Sequence, residues 1–270
     1  MANLPPPPPP SEDPLYLDYL LSIYQEGIDD HPRSAQRLIG PSEIGGCERK
    51  IGFKLAYGST MAQEPGGWAA HVGTTQHAWA DWWWRKKMKR GELRMPDGSE
   101  RFLSDVKVDQ IVPWVAGGTI DLFDKLLGRV IDWKHPGQST GKKVKAGYVS
   151  PGYYAQAMTY GLGLQRMGYV VNDVALCFIA VGADGIKKQA TFKVWPFDPA
   201  VAWDRLRNIY VIEKRLKTEP VRSVLESLET QNDFCQGCPA LIGNGDRRAM
   251  CPGATATNKV VDRDANPFAR

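Results

Sequence analysis

Residues 117–135 read GGTIDLFDKLLGRVIDWKH, two short runs rich in apolar and β-branched residues on either side of a glycine-containing turn. With residues 125–128 as a four-residue loop, Asp124 pairs with Arg129, and counting back along both strands sets Asp121 opposite Asp132. Side chains alternate along a strand, so Lys134 joins that face while Ile131 and Trp133 point to the other. Two carboxylates and an ammonium therefore converge. Like charges directly opposite destabilise a strand pair unless something neutralises them, and a divalent cation is the economical candidate. Oxygen ligands favour Mg2+ or Mn2+. An exposed charged hairpin would carry the same residues, but the flanking GTIDLF and VIDW are those of a strand entering a core, where a charge needs a partner.

Working outward, residues 68–90 read as one helix with a strongly basic far end, closed by Gly91. Three strands follow, at 102–115, 118–125 and 129–134. Ser150 caps a helix over 151–167 that tolerates proline in its first turn. Residues 174–181 and 189–195 read as two more strands, and Asp198 with Pro199 opens another amphipathic helix. An apolar helical spacing begins near Leu15, and after Pro220 the chain is expected to be irregular. This alternation predicts an α/β domain with a mixed central sheet flanked by helices. Gly73 and His77 share one face of the first long helix, where the glycine would admit a close neighbour, and Gln156 and Tyr160 share a face of the later one.

Composition narrows the classes. The 270 residues are 43% hydrophobic and 24% charged, those of a globular protein with a sizeable core. The apolar run at 174–181 is far short of the roughly 20 residues a membrane span needs. The opening MANLPPPPPP lacks the charged and apolar regions of a secretory signal, which points to the cytoplasm. Five cysteines then read as ligands or core residues rather than a disulfide framework. A net charge of +4 is too mild to prove a nucleic-acid partner. Residues 1–14 are expected to be a disordered proline-rich leader, 15–251 a single domain and 252–270 a tail.

The G-x-x-D at Gly118–Asp121 and the I-D-W-K at 131–134 resemble the active-site hairpin of the PD-(D/E)XK nuclease superfamily. The G-x-x-x-H ending at His77 and the Q-x-x-x-Y from Gln156 to Tyr160 resemble motifs of its RecB-like branch, in the same order along the chain. Asp132 stands where glutamate is commoner. The resemblance implies a restriction-endonuclease-like core and a metal-dependent DNA exonuclease acting at single-stranded ends in recombination, repair or DNA processing. The alternative is a DNA-end binding subunit with the same fold and little cleavage of its own. In the roles this chemistry gives, His77, Asp121, Asp132 and the Trp133 carbonyl hold Mg2+ or Mn2+, and Lys134 orients the attacking water or stabilises growing charge. Gln156 and Tyr160 present an amide and a phenol toward DNA or the water.

Cys235 and Cys238 have ligand spacing, with Cys251 following in a Gly- and Pro-rich segment. Cys47 is the candidate fourth thiolate, and the resembling family joins one early cysteine to three late ones. Spacing does not separate zinc from iron–sulfur; the resemblance favours [4Fe-4S], acting as a staple for an irregular, cysteine-rich C-terminal segment. Cys177 reads as a core residue. For nucleic acid, Lys142, Lys143 and Lys145 lie in an expected loop after the hairpin, and Ser42 and Arg49 flank Cys47, near which the family contacts DNA. The basic cluster at 85–90 reads equally as a solvated helix end suited to the dipole and as a DNA track. Trp79 and residues 82–84 can stack on bases, but such rings read first as core. A recombination or CRISPR protein is a compatible partner, in a bacterial cell or a phage-infected host.

Overall fold

A computed structural model describes residues 14–30, 38–58, 68–182, 190–230 and 251. Its elements are α1 (Pro14–Asp29), α2 (Glu48–Tyr57), α3 (Trp68–Lys89), β1 (Phe102–Val108), β2 (Gly118–Asp124), β3 (Arg129–Lys134), α4 (Gln138–Lys145), α5 (Pro151–Arg166), β4 (Asp173–Ile179), β5 (Ala190–Pro196), α6 (Pro199–Thr218) and α7 (Val221–Ser227). The five strands form one sheet in the order β1-β2-β3-β4-β5. Every neighbouring pair is antiparallel except β3 and β4, which run parallel. A parallel pair needs a long crossover, and α4 and α5 supply it. The architecture is thus α/β, with a mixed sheet flanked by helices.

The deciding hairpin forms in the expected register. Asp124 pairs with Arg129, Phe123 with Val130 and Leu122 with Ile131. Gly128 closes the loop at φ +62°, in the left-handed region. The backbone N–H groups of Leu126 and Leu127 donate to Oδ1 of Asp124. Arg101 in turn binds the Asp124 carboxylate through Nε and Nη2, so this turn carboxylate is buried but paired.

Helices cover both faces. Trp84 of α3 packs against Phe102, at 4.9 Å between ring centroids, and against Trp133, at 6.4 Å. Lys134, one residue on and hence on the other face, reaches α5. The middle of α5, from Ala155 to Leu164, is buried throughout, and α6 packs beside it. Its start follows the capping reading: the Ser150 hydroxyl accepts from the Gly152 N–H, with Pro151 in the first turn.

Four expectations are corrected. The first strand ends at Val108 rather than 115, in a segment where Pro113 has no N–H to give to a ladder. Residues 142, 143 and 145 are not in a loop but on α4, whose Val144 side chain is buried and anchors the turn. The segment after Pro220 begins with a helix, α7, which buries Val224 and Leu225. Gly73 admits no close neighbour, since a Cβ there would meet nothing within 4 Å. The helix α2, not anticipated from the sequence, buries Ile51, Gly52 and Phe53. Residues 1–13 of the leader, Cys235, Cys238 and the tail at 252–270 lie outside the described residues. Among the described residues no helix is long and apolar enough to cross a membrane.

The two motif glycines therefore have opposite sensitivities. A Cβ on Gly118 would stand 2.8 Å from Pro41 Cγ and 2.9 Å from Tyr160 Cε1, both in ring groups that cannot bend away. Gly118→Ala is expected to lower unfolding stability by about 1–3 kcal/mol through overpacking. Gly73→Ala, mid-helix and unobstructed, should raise it by up to about 1 kcal/mol. Urea denaturation of the two variants checks both; a tolerated alanine at 118 would show that the close approach is not needed.

Candidate active site

The site grows from the end of the hairpin. Asp121 lies where the β2–β3 ladder stops, and its carboxylate turns to two partners: Oδ1 is 2.8 Å from His77 Nδ1, and Oδ2 accepts from the Trp133 N–H at 2.7 Å. His77 comes from α3, 44 positions upstream. Trp133, expected to contribute its carbonyl, engages the site here through its amide.

Asp132 follows a different course. It is only 2% exposed, and Lys134 Nζ stands 2.6 Å from its Oδ2. Beyond this ion pair Lys134 donates a hydrogen bond to Gln156 Oε1 at 2.8 Å, and Gln156 Nε2 donates to the Tyr160 hydroxyl at 3.1 Å. Gln156 and Tyr160 lie one turn apart on α5 and are both buried, so the i, i+4 spacing puts amide and phenol in line behind the lysine. Burial is the largest influence on Asp132 and pushes its carboxyl up to about 6. Lys134 opposes the rise, and the nearby Asp121 charge adds to it.

All six side chains expected from the motifs thus lie in two linked chains: His77 to Asp121 to the Trp133 amide, and Asp132 to Lys134 to Gln156 to Tyr160. Sequence reading missed three neighbours. Tyr153 lies one turn before Gln156 on α5, and the Lys134 ammonium sits 4.8 Å from its ring centroid. His135 meets the His77 ring edge-on at 5.6 Å between centroids, and burial lowers its imidazole from the ordinary range. Asp81, one turn after His77, accepts from the Ser104 hydroxyl at 2.6 Å and takes the Arg85 guanidinium at 2.8 Å. A carboxylate four residues after the histidine was the available signal for the last of these.

Among the described residues, no three His, Cys, Asp or Glu side chains converge on one point that could hold a metal as they stand. His77 and Asp121 face each other, and Asp132 faces Lys134. The donor chemistry nevertheless fits a hard divalent cation: an imidazole and two carboxylates, one of them buried where its negative charge is penalised.

The remaining candidates are more dispersed. Cys47 is half-buried, and its thiol donates to the Glu229 carbonyl at 3.7 Å, six positions ahead of Cys235 in the chain. Cys251 is buried. Arg49 spends its guanidinium on the carbonyls of Glu226 and Leu228, at 2.7 and 2.9 Å, so it ties α2 to the end of α7. Ser42 is exposed, as are Lys142, Lys143 and Lys145. Cys177, read as core, is half-buried on β4, with its thiol pushed up to about 11 by burial.

No protein-family model matches the chain, and no curated protein matches it. Among solved structures it is similar to an alkaline exonuclease (LHK-Exo) from Laribacter hongkongensis, at 13% identity and TM-score 0.47 over 70% of this chain and 91% of that one. The same enzyme in complex with dAMP gives 15% identity and TM-score 0.48, over 70% and 92%. A phage related exonuclease from Haemophilus somnus 129PT gives 12% identity and TM-score 0.36, over 65% and 79%. Similarity of this degree assigns neither family nor activity.

The raised carboxyl has a measurable consequence. Folded Asp132 holds its proton up to about pH 6, where the unfolded chain, with an ordinary carboxylate, has already released it. The folded state therefore binds more protons between about pH 4 and 6, and stability falls as pH rises through that window. In the presence of EDTA, Asp132→Asn should remove this fall and melt higher than wild type at pH 7, the difference closing below about pH 4. Melting curves of both proteins across pH test it; parallel profiles would show that Asp132 ionises as an ordinary carboxylate.

Proposed function

We propose that this chain is a metal-dependent deoxyribonuclease of the RecB-like branch of the PD-(D/E)XK superfamily, an exonuclease acting at single-stranded DNA ends in the cytoplasm. The observation that supports this most is the convergence of six polar residues, from His77 to Tyr160, into two contiguous chains around one strand end. An amphipathic helix or an exposed hairpin would leave such residues scattered over the surface.

His77, Asp121, Asp132 and the Trp133 carbonyl would hold Mg2+ or Mn2+. When bound, the metal supplies a nucleophilic water near neutral pH and stabilises charge on the phosphate. The chain's own residues do the positioning. Lys134 projects its ammonium from the strand between the buried carboxylate and the Gln156 carbonyl oxygen, which leaves a fixed positive charge beside the cleavage position. Gln156 holds that ammonium and is itself held by Tyr160, so α5 serves as a rigid backing for it. Tyr153 closes the lysine's other side with the negative face of its ring.

Cys47, Cys235, Cys238 and Cys251 are proposed to bind a [4Fe-4S] cluster that fastens the C-terminal segment to α2, with zinc as the competing occupant. The hydrogen bond from Cys47 to Glu229 supports this by joining the early cysteine to a residue six positions before Cys235 in the chain. Lys142, Lys143 and Lys145, exposed on α4 five to eight residues past the site strand's exit loop, suit contact with a phosphate backbone.

End-labelled single- and double-stranded DNA incubated with Mg2+ or Mn2+ tests the nuclease. Wild type should degrade the labelled strand, with Asp132→Ala and Lys134→Ala each slower by at least about a hundredfold. Equal degradation by all three would remove the assigned site, and end binding without cleavage would favour a binding subunit. Protein purified without oxygen should be brown and carry iron, and Cys47→Ser should lose the colour; stoichiometric zinc without iron would overturn the cluster.

A further inference from the structure

The rings of Trp79 and Trp82 are not core. They are 58% and 54% exposed, and Trp68 at the start of the same helix is 63% exposed. Helical spacing explains how one helix serves two purposes. His77, Asp81 and Trp84 recur every three to four residues on the face that meets the sheet. Trp68, Thr75, Trp79, Trp82, Lys86 and Lys89 recur at seven, four, three, four and three, which puts them together on the opposite face.

That outer face carries indoles and ammonium groups and no carboxylate from α3, because Asp81 lies on the inner side with Ser104. Lys86 Nζ stands 4.7 Å from the centroid of the Trp82 ring and 5.4 Å from that of Trp83, so cation and aromatic surface form a single unit. Beyond it the last turn is basic; Glu92 offsets part of this through its ion pairs with Lys87 and Arg90. Large exposed aromatic surface alone would suit many partners. The positive charge running alongside it selects a polyanion with free π faces, which describes an unpaired nucleic-acid strand. In a duplex the base faces are already stacked on each other and only the phosphates remain for contact.

We propose that the outer face of α3, centred on Trp79, Trp82 and Lys86, is a stacking platform for single-stranded nucleic acid. It rests on the nuclease reading above for its purpose: a strand held here crosses one helix, about 10 Å wide, to reach His77 on the inner side. The platform would then make the enzyme prefer unpaired or frayed ends.

The test is binding of fluorescein-labelled (dT)20 in EDTA, followed by anisotropy, for wild type, the Trp79→Ala/Trp82→Ala double variant and Trp82→Phe. Loss of base stacking should weaken the double variant by roughly 5- to 100-fold, while Trp82→Phe stays near wild type and a blunt 20-base-pair duplex binds equally to all three. Lys86→Gln should flatten the salt dependence of (dT)20 binding by about 0.7 in log–log slope. Circular dichroism should be unchanged, because the replaced rings are exposed. In cleavage assays the double variant should show a raised KM with kcat retained. Binding of (dT)20 by the double variant within twofold of wild type would overturn the platform, as would equal loss on the duplex. Light scattering that shows an oligomeric wild type and a monomeric Trp82→Ala would overturn it in favour of self-association. If wild type never cleaves DNA but the indole variants still lose (dT)20, the nuclease reading falls and the platform stands.

Discussion

A buried carboxylate facing an ammonium sets the terms for the rest of this molecule. Asp132 at 2% exposure would be costly as an isolated charge, and Lys134 at 2.6 Å is what makes it tolerable. An ammonium with a four-carbon stem is itself mobile, so it needs holding. Gln156 and the Tyr153 ring do that from α5, and Tyr160 holds Gln156. The circuit returns to the hairpin, because Tyr160 packs so closely on Gly118 that only a residue without a side chain fits there. The strand that begins at Gly118 carries Asp121 three residues later. Thus the two motif spacings, G-x-x-D and Q-x-x-x-Y, belong to one packing unit, and a displacement of α5 would move both carboxylates and the lysine.

The third wall, α3, is fixed by contacts of a different kind. Trp84 lies against Phe102 and Trp133, which sets the distance of the helix from the sheet. Polar bonds set its register: Ser104 donates to Asp81, and Arg85 reaches the Ser104 carbonyl at 3.1 Å. His77 is one turn before Asp81, so the Asp81 bond fixes where the imidazole meets Asp121. Asp105, the next residue on β1, has φ +55°, and the β1–β2 ladder omits the pair it would make with Asp121. A non-glycine residue in that region costs on the order of 1 kcal/mol, and such strain concentrates where a side chain must be aimed away from regular geometry. Here the residue freed from the ladder is the carboxylate that faces His77.

These relations explain which parts were legible in the sequence. The hairpin register followed from loop length and alternation alone, because a glycine at 128 and a capping carboxylate at 124 leave few other ways to close the turn. Helices α3, α5 and α6 carried clear periodicity or caps; the bounds of α3 and α5 and the start of α6 fall within one residue of expectation. By contrast α4 and α7 are eight and seven residues long, too short for a pattern to stand out, and are held by one or two buried residues each. The six motif residues were placed by pattern, but their partners were not. Tyr153 and His135 become neighbours only when separate elements pack, and no local spacing encodes that; Asp81, four residues after His77, is the neighbour that spacing could have shown. The core reading failed for Trp79 and Trp82 for a physical reason: composition suggests that aromatic rings go inside, while the side of α3 facing the sheet was already filled by His77, Asp81 and Trp84.

The charge balance of the site gives these pieces a direction. Two carboxylates share the strand end with one ammonium, and the histidine beside them is tied to Asp121. Burial of Asp132 works against its charged form, so the folded protein carries an electrostatic cost that packing must offset. Hydrophobic residues of similar size would remove that cost and leave the sheet more stable. Retaining two acids and a lysine at the end of a well-packed strand is therefore a structural disadvantage, one that the proposed binding of a cation and a phosphate would offset. The same reasoning applies to the outer face of α3, where indoles left in water lose the burial that would have stabilised the fold. The indoles lie on the outer side of α3 and His77 on its inner side, facing Asp121, so this one helix borders both places where stability is forgone.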